Sequence, residues 1–498
     1  MADGLRLEKT PFRLLAGVSL LAVLIAIARV AYVLPRHSFI NDDNASGTWA
    51  TLAMDFAQGV LYRDVLSARG YGGTRYFPVE FSLHAGLIKL GLPVAAAGHI
   101  VGVSAVLLLL VSAYALLREL SVRPYLAAAC MGLLTVTYTT GIALTRVGSD
   151  ALAAAFTFAG AALAVRFVSQ GRPGWMLALP ASLFASAFLS KQSSLMGLGA
   201  VCLWLLLERR PKQGWLLGAL AVGVAALGVA LFNHLSNGRM IGSGTLAKGA
   251  ITGASMLSGP FKFFRFMRQD LLLLMPMVAA VYVIARYFRE TWRELPTLLL
   301  LFSAAAMCVI YGQPGTESNH LIELAAPALV FFAYQIHRGR LSPRLGPGLL
   351  VGAGLINCVL MIAFGFKLPW YTVADTRPEY AKMRAIVGSE GGPVVCENPW
   401  NCILLGETPY VMDAMALRLW SAWTPVRDDF NGKMDRRFFR ALVLRTDIRE
   451  ASARAWYSDL DEGPGFPAGF VDKALENYEF KGEFASNFVF VRKAPAAP

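Results

Sequence analysis

The chain has 498 residues, of which 56% are hydrophobic and only 16% charged, with a formal net charge of +13. Several apolar runs reach about 18 residues or more, which a soluble domain does not need, and mark a polytopic helical membrane protein. The positive balance sits largely in short Arg-rich loops between the runs, so membrane orientation explains it and a nucleic-acid role is not called for.

In chain order, Arg6, Lys9 and Arg13 precede a first span over 14–35, which places the N-terminus in the cytoplasm. At about 1.5 Å per residue Leu14–Leu34 is full length, and no small-residue cleavage site follows it. Further spans are expected at 94–117, 124–144, 149–168, 174–190, 192–208, 214–235, 270–287, 295–312, 319–336 and 346–366. The loops assigned inside carry Arg118 and Arg123, Arg166 and Arg172, Arg209 with Arg210 and Lys212, Arg286 with Arg289 and Arg293, and Arg338 with Arg340 and Arg344. The short outer loops hold only Arg146 and Lys191. Eleven spans place the C-terminus outside. Residues 77–92 are apolar, but a 16-residue helix is only about 24 Å long. Glu80, His84 and Lys89 would each be costly in lipid. This segment is read as an interfacial or re-entrant helix within an outer loop over 36–93.

A second outer loop spans 236–269, where Lys262, Arg265 and Arg268 recur every three residues among aromatics, as suits a helix at headgroup level. From 367 the composition turns soluble. Short apolar runs at 394–396, 410–412, 441–444 and 488–491 alternate with helical stretches, which predicts a small α/β domain over 367–498 outside the membrane. Cys396 and Cys402 stand in it with five residues between them. They either close a disulfide loop in an oxidising compartment or remain free. Cys130, Cys202, Cys308 and Cys358 fall in spans.

The outer loop that follows the first span holds the chemistry. Asp42 and Asp43 precede a short amphipathic stretch (Trp49, Leu52, Ala53, Phe56). Gly59 and Tyr62-Arg63-Asp64 come next, and Thr74-Arg75-Tyr76-Phe77-Pro78 opens the following helix. This order of acid pair, short helix, Gly-Tyr and aromatic-Pro resembles the first outer loop of polyprenyl-phosphate-sugar-dependent membrane glycosyltransferases. That class includes the protein O-mannosyltransferases and the bacterial aminoarabinose transferases. The resemblance implies an all-α polytopic domain of the GT-C type over 1–366, followed by the small α/β domain. It also implies an inverting transferase that moves a sugar from a polyprenyl-phosphate carrier to a glycan, lipid or protein acceptor at the outer face of a bacterial inner membrane. Membrane lipids are its other partners and nucleic acid is not one.

On this reading Asp42 or Asp43 is the base that takes the acceptor proton. The competing reading is a helix N-cap cluster, Asn41-Asp42-Asp43-Asn44. Asp55 and then Asp64 are weaker candidates. Arg75 and Tyr76 are expected to close over the sugar, with Arg75 on the phosphate. Arg146 and Asp150 flank an outer turn where the family often carries an Arg or an acid; ordinary helix-dipole chemistry also accounts for Asp150. Lys191 ends a span almost without a loop, and in the family a similar Lys meets the donor phosphate; otherwise it snorkels. Asn319, His320 and Glu323 form an Asn-His-x-x-Glu element in which His320 and Glu323 share a helix face. No nucleotide-binding or nucleophile-elbow motif is present, which fits a donor carried by lipid. No cofactor is implied with certainty, and participation of a divalent metal is left open. Two other classes stay in view, a transporter or flippase and a non-catalytic envelope assembly protein. The charge pattern predicts that alkaline phosphatase fused at the C-terminus is active and that a fusion after Arg210 is inactive; the reverse pattern would contradict the orientation.

Overall fold

A computed structural model of the protein describes residues 2–36, 44–246, 253–268, 270–313, 316–367, 376–388, 391–458 and 465–494. Asp42 and Asp43 lie outside the described residues. The first part runs α1 (Ala2–Val33), α2 (Asn44–Ala57), β1 (Leu66–Ser67), β2 (Gly70–Tyr71), α3 (Pro78–Lys89), α4 (Val94–Glu119), α5 (Pro124–Leu134), α6 (Tyr138–Ala143), α7 (Asp150–Ser169), α8 (Ala178–Ser190) and α9 (Leu195–Leu207). It continues with α10 (Pro211–Leu235), α11 (Arg239–Leu246), α12 (Gly253–Met267), α13 (Leu271–Arg286), α14 (Phe288–Thr291), α15 (Leu295–Ile310), α16 (Ile322–His337) and α17 (Leu345–Lys367). The second part holds α18 (Arg377–Val387), β3 (Val394–Cys396), α19 (Pro399–Leu405), α20 (Ala414–Trp420), α21 (Thr424–Asp435), β4 (Ala441–Leu444), α22 (Ala451–Ser458), α23 (Phe470–Asn477), β5 (Tyr478–Phe484) and β6 (Asn487–Arg492).

Hydropathy decides where each helix sits. In α16 the residues Leu329, Val330, Phe331, Phe332 and Ala333 are all completely buried, so this helix lies at the centre of the bundle. Helix α7 buries Ala151, Ala153, Ala155, Ala161 and Ala164 around its circumference, small side chains that let neighbouring helices such as α4 and α8 approach closely. Helix α10 is peripheral and leaves Val222, Leu227 and Leu231 exposed for lipid.

Among the described residues, five helices are long and apolar enough to cross a membrane, or six if the α12–α13 pair, bent by 119°, counts as one span. Every interval expected to span is helical, but the count of eleven is not reached by length. Shorter apolar helices, such as Pro124–Leu134 and Leu295–Ile310, occupy the other intervals. The interval 124–144 is broken because one helix ends at Leu134, with Thr135 as its C-cap, and Thr137 caps the next, its hydroxyl accepting from the Thr140 amide.

The second part is a four-stranded sheet in the order β3-β4-β6-β5, with β3 and β4 parallel and the rest antiparallel. Val395, Leu442, Leu444 and Phe490 face one apolar cluster and Val394, Cys396, Val443 and Val489 face another, so the central strands are buried on both sides. Three of the expected apolar runs are strands of this sheet. The fourth, 410–412, instead forms an isolated parallel bridge to Tyr71 in the outer loop. Strand β5 escaped the sequence reading because its edge position alternates charged and apolar residues. It turns into β6 through Ala485 and Ser486, both at positive φ, as a tight two-residue hairpin requires. Cys396 and Cys402 are joined in a disulfide, which settles the alternative left open above.

Helix α3 departs from a simple interfacial helix. Its charged face turns inward: Glu80 and His84 are completely buried, while Leu83 and Leu90 are exposed. Gly98 of α4 makes room, since a Cβ there would lie 2.7 Å from His84 Cε1. His84 Nε2 donates to the Val94 carbonyl at 2.8 Å, which leaves Nδ1 as an acceptor 4.0 Å from Glu80 Oε1. Burial pushes the Glu80 carboxyl up to about 8 and the His84 imidazole down to about 4, so the pair is largely neutral at pH 7. A folded-state pKa raised above the unfolded 4.5 gives stability that is full below 4.5 and lost as pH rises through 8. Glu80→Gln should therefore match wild type near pH 4.5 and be more stable by roughly a few kcal/mol above pH 8, read as a flattened pH dependence of the unfolding temperature. Parallel profiles would refute the assignment.

Candidate active site

The site is assembled from three helix ends. Asp150 opens α7, where a carboxylate suits the N-terminal dipole. Lys191 stands in the break between α8 and α9 with an extended backbone, φ −155° and ψ 120°. Glu323 lies in the first turn of α16. The Lys191 ammonium bonds Asp150 Oδ1 and lies 3.0 Å from Glu323 Oε1, bridging the two carboxylates. Asn319 Nδ2 donates to Asp150 Oδ2 at 2.9 Å, and His320 Nδ1 is 3.9 Å from Asp150 Oδ1. Ser194 Oγ donates to Glu323 Oε1 at 3.2 Å. The three charged side chains are only 10–15% exposed. Burial by itself would strip Lys191 of its proton, but the attraction of Asp150 and Glu323 outweighs it and holds the ammonium above its usual pKa.

Two arginines flank this core. Arg146 Nη1 lies 3.2 Å from Glu317 Oε2 on the neighbouring turn. Arg75 comes from the outer loop, close enough for its charge to act on both His320 and Asp413, and its Nη2 is 3.8 Å from Met415 Sδ. Its neighbour Tyr76 turns the other way and stacks on Trp49 with ring centroids 4.4 Å apart. The Tyr76 carbonyl accepts from the Tyr62 hydroxyl at 3.0 Å. Tyr76 thus braces the loop on α2, while Arg75 faces the cluster. Helix α2 is tied to the same place: the Ser46 hydroxyl donates to the Val147 carbonyl at 3.1 Å and accepts from its amide, also at 3.1 Å, three residues before Asp150.

Among the residues expected from sequence, Asp150, Lys191, His320 and Glu323 come together, with Arg75 and Arg146 at the rim. Asp55 is spent on the scaffold, holding Arg63 at 2.5 and 2.7 Å while Arg63 donates to the Pro409 carbonyl. Asp64 pairs with Arg239 at 2.6 Å. Arg29 of α1 turns inward, its Nη1 2.5 Å from Met361 Sδ. Sequence reasoning missed Ser194, whose only signal is a hydroxyl beside a helix break, and Asp413, which caps α20 far along the chain. Among the described residues no group of three or more acidic, His or Cys side chains is arranged to hold a metal ion. The Lys191 ammonium fills the place between Asp150 and Glu323 where a cation would sit, so the cluster does not fit a metal.

No protein-family model matches the chain, and no curated protein matches it in sequence. Solved structures do match. ArnT from Cupriavidus metallidurans bound to undecaprenyl phosphate is 12% identical over 96% of this chain and 99% of its own, with a TM-score of 0.54. The Archaeoglobus fulgidus oligosaccharyltransferase in its apo form is 10% identical over 96% of this chain and 74% of its own, at 0.53. The same archaeal enzyme, AglB, in complex with an inhibitory peptide and a dolichol-phosphate, gives 12%, 97%, 74% and 0.51. At such identities the likeness carries the fold and not the chemistry. Over nearly its whole length, therefore, this integral membrane protein has the GT-C fold seen in an aminoarabinose transferase and an archaeal oligosaccharyltransferase.

Proposed function

We propose that the protein is an inverting glycosyltransferase that takes a sugar from a polyprenyl-phosphate carrier and passes it to a glycan, lipid or protein of the envelope. The observation that carries this reading is the convergence of Asp150, Lys191, Asn319, His320 and Glu323 with Arg75 at one mouth of the bundle. That convergence occurs in a fold shared with structures that hold undecaprenyl phosphate or dolichol-phosphate. On this reading eleven membrane crossings set the mouth on the outer face, with the N-terminus in the cytoplasm.

The chemistry assigned to the residues is as follows. The acceptor hydroxyl attacks the anomeric carbon, its proton passes to Asp42 or Asp43, and the bond from that carbon to the phosphate oxygen breaks. Polyprenyl phosphate leaves with the bonding electrons and the configuration inverts. Negative charge grows on the leaving phosphate, so a guanidinium and an ammonium placed beforehand lower the barrier. Arg75 supplies the first. Lys191 supplies the second through the N–H that its two carboxylates leave over. Asp43 immediately precedes α2 in the chain, and α2 is anchored to the Val147 backbone through Ser46.

Two tests follow. With expression equal to wild type, Asp42→Asn or Asp43→Asn should lower sugar transfer in membranes by about 10²–10⁴-fold while donor binding persists; full activity in both variants would return the acid pair to a capping role. Lys191→Met leaves Asp150 and Glu323 facing each other uncompensated, so it should destabilise the protein by about 3–5 kcal/mol. Lys191→Met combined with Glu323→Gln relieves that repulsion and should recover most of the stability with transfer still abolished. Recovery of transfer along with stability would make Lys191 a structural residue only.

A further inference from the structure

Away from the cluster, a groove of about 830 Å³ lies between the outer loop and the second part of the chain. Asp64 and Leu66 form one wall, and Leu419, Trp420 and Trp423 the other. Its volume is within the range of about 300–1,000 Å³ usual for ligand sites. The two indoles meet edge to face at 6.3 Å. Trp423 is 51% exposed and Leu66 36%, so both walls of the groove present apolar surface to solvent. Trp420 is 7% exposed, and its Nε1 donor has no hydrogen-bond partner among the described residues. Gly73 lies hard against that indole: a Cβ would come within 2.4 Å of Nε1, and the residue has φ +88°. At the rim, Asp64 and Arg239 pair at 2.6 Å and are 53% and 33% exposed, so the pair faces solvent at the groove.

We propose that this groove binds a saccharide chain and, resting on the transferase reading, that this chain is the acceptor. A pyranose ring has one face of C–H groups and an equator of hydroxyls. The face matches the exposed Trp423 indole, while the hydroxyls match the exposed Asp64 carboxylate at the rim. An acyl chain would cover the exposed indole but desolvate the Asp64 and Arg239 charges without return. The groove also reaches the site. Helix α20 carries Met415, which touches Arg75, at one end and Trp420 at the other, a separation of about 7.5 Å along the axis. A saccharide lying against Trp423 and Trp420 brings its end toward Arg75.

The test is saturation-transfer NMR on the full-length protein in nanodiscs. The probes are soluble tri- to hexasaccharides of glucose, galactose, mannose, arabinose and N-acetylglucosamine, with decanoate and an unstructured peptide as competitors. The expected result is contact through ring C–H protons of at least one saccharide class. Trp423→Ala should weaken it about tenfold or more at unchanged thermal stability, and Trp423→Phe should restore part of it. The proposal is overturned if no saccharide binds at millimolar concentration, if Trp423→Ala binds as wild type does, or if decanoate or the peptide occupies the groove in its place. Because binding is read without turnover, the two readings separate. Trp423-dependent binding in a protein that transfers no sugar keeps the groove and removes the transferase, while transfer without such binding does the opposite.

Discussion

A single ammonium between two carboxylates holds the polar mouth of this membrane protein together. Lys191, Asp150 and Glu323 belong to three different helix ends, and none could be buried there alone without a cost of several kcal/mol. Together they satisfy one another, with Asn319 and Ser194 taking up remaining lone pairs. The backbone provides for this: a break between α8 and α9 leaves Lys191 extended, and the first turns of α7 and α16 present their acids at the same level. Mutual neutralisation pins the ends of α7, α8 and α16 in register, and the rest of the mouth is arranged around that point.

The outer loop is the second constraint, because it belongs to both parts of the molecule. Helix α2 sits so close to α19 that a Cβ on Gly47 would fall 2.5 Å from the Trp400 amide. Further on, the Tyr71 amide donates to the Tyr410 carbonyl at 2.8 Å and the Met412 amide donates to the Tyr71 carbonyl at 3.0 Å. The Tyr71 hydroxyl reaches Asp429 at 2.6 Å, and the Lys433 ammonium lies 5.1 Å over its ring. Loop and second part thus fold as one layer. In consequence Arg75 is aimed from both sides, by the Trp49–Tyr76 stack beneath and by Met415 above. Helix α20 thus carries both the Met415 contact to Arg75 and Trp420 of the groove.

Much of this was legible in the residues. Charged side chains at the ends of apolar runs have few places to go, so Asp150, Lys191, His320 and Glu323 could each be named as candidate site residues before any coordinates, though not the bridge that Lys191 makes between the two acids. The charged interior of α3 was legible as a reason against a membrane crossing, but its direction was not. A short helix with Glu80 and His84 can face water or the core, and Gly98 on the next helix decides for the core. The break at Thr135–Thr137 was hidden because β-branched polar residues fit a helix nearly as well as they end one. Asp413, Trp420 and Trp423 were out of reach for another reason. They join the outer loop only through long-range packing, which no local periodicity encodes.

The proposed function rests on the Asp150–Lys191–Glu323 cluster and Arg75 being the place where a lipid-linked donor is met. The most direct test of the central claim is a structure of the protein determined with a polyprenyl phosphate in lipid nanodiscs. The account predicts the phosphate within hydrogen-bonding distance of Arg75 and Lys191, with the prenyl chain leaving between helices of the bundle. A phosphate bound elsewhere, with the Lys191 cluster sealed from it, would contradict the account and leave the Asp150–Lys191–Glu323 bridge as a purely structural pin.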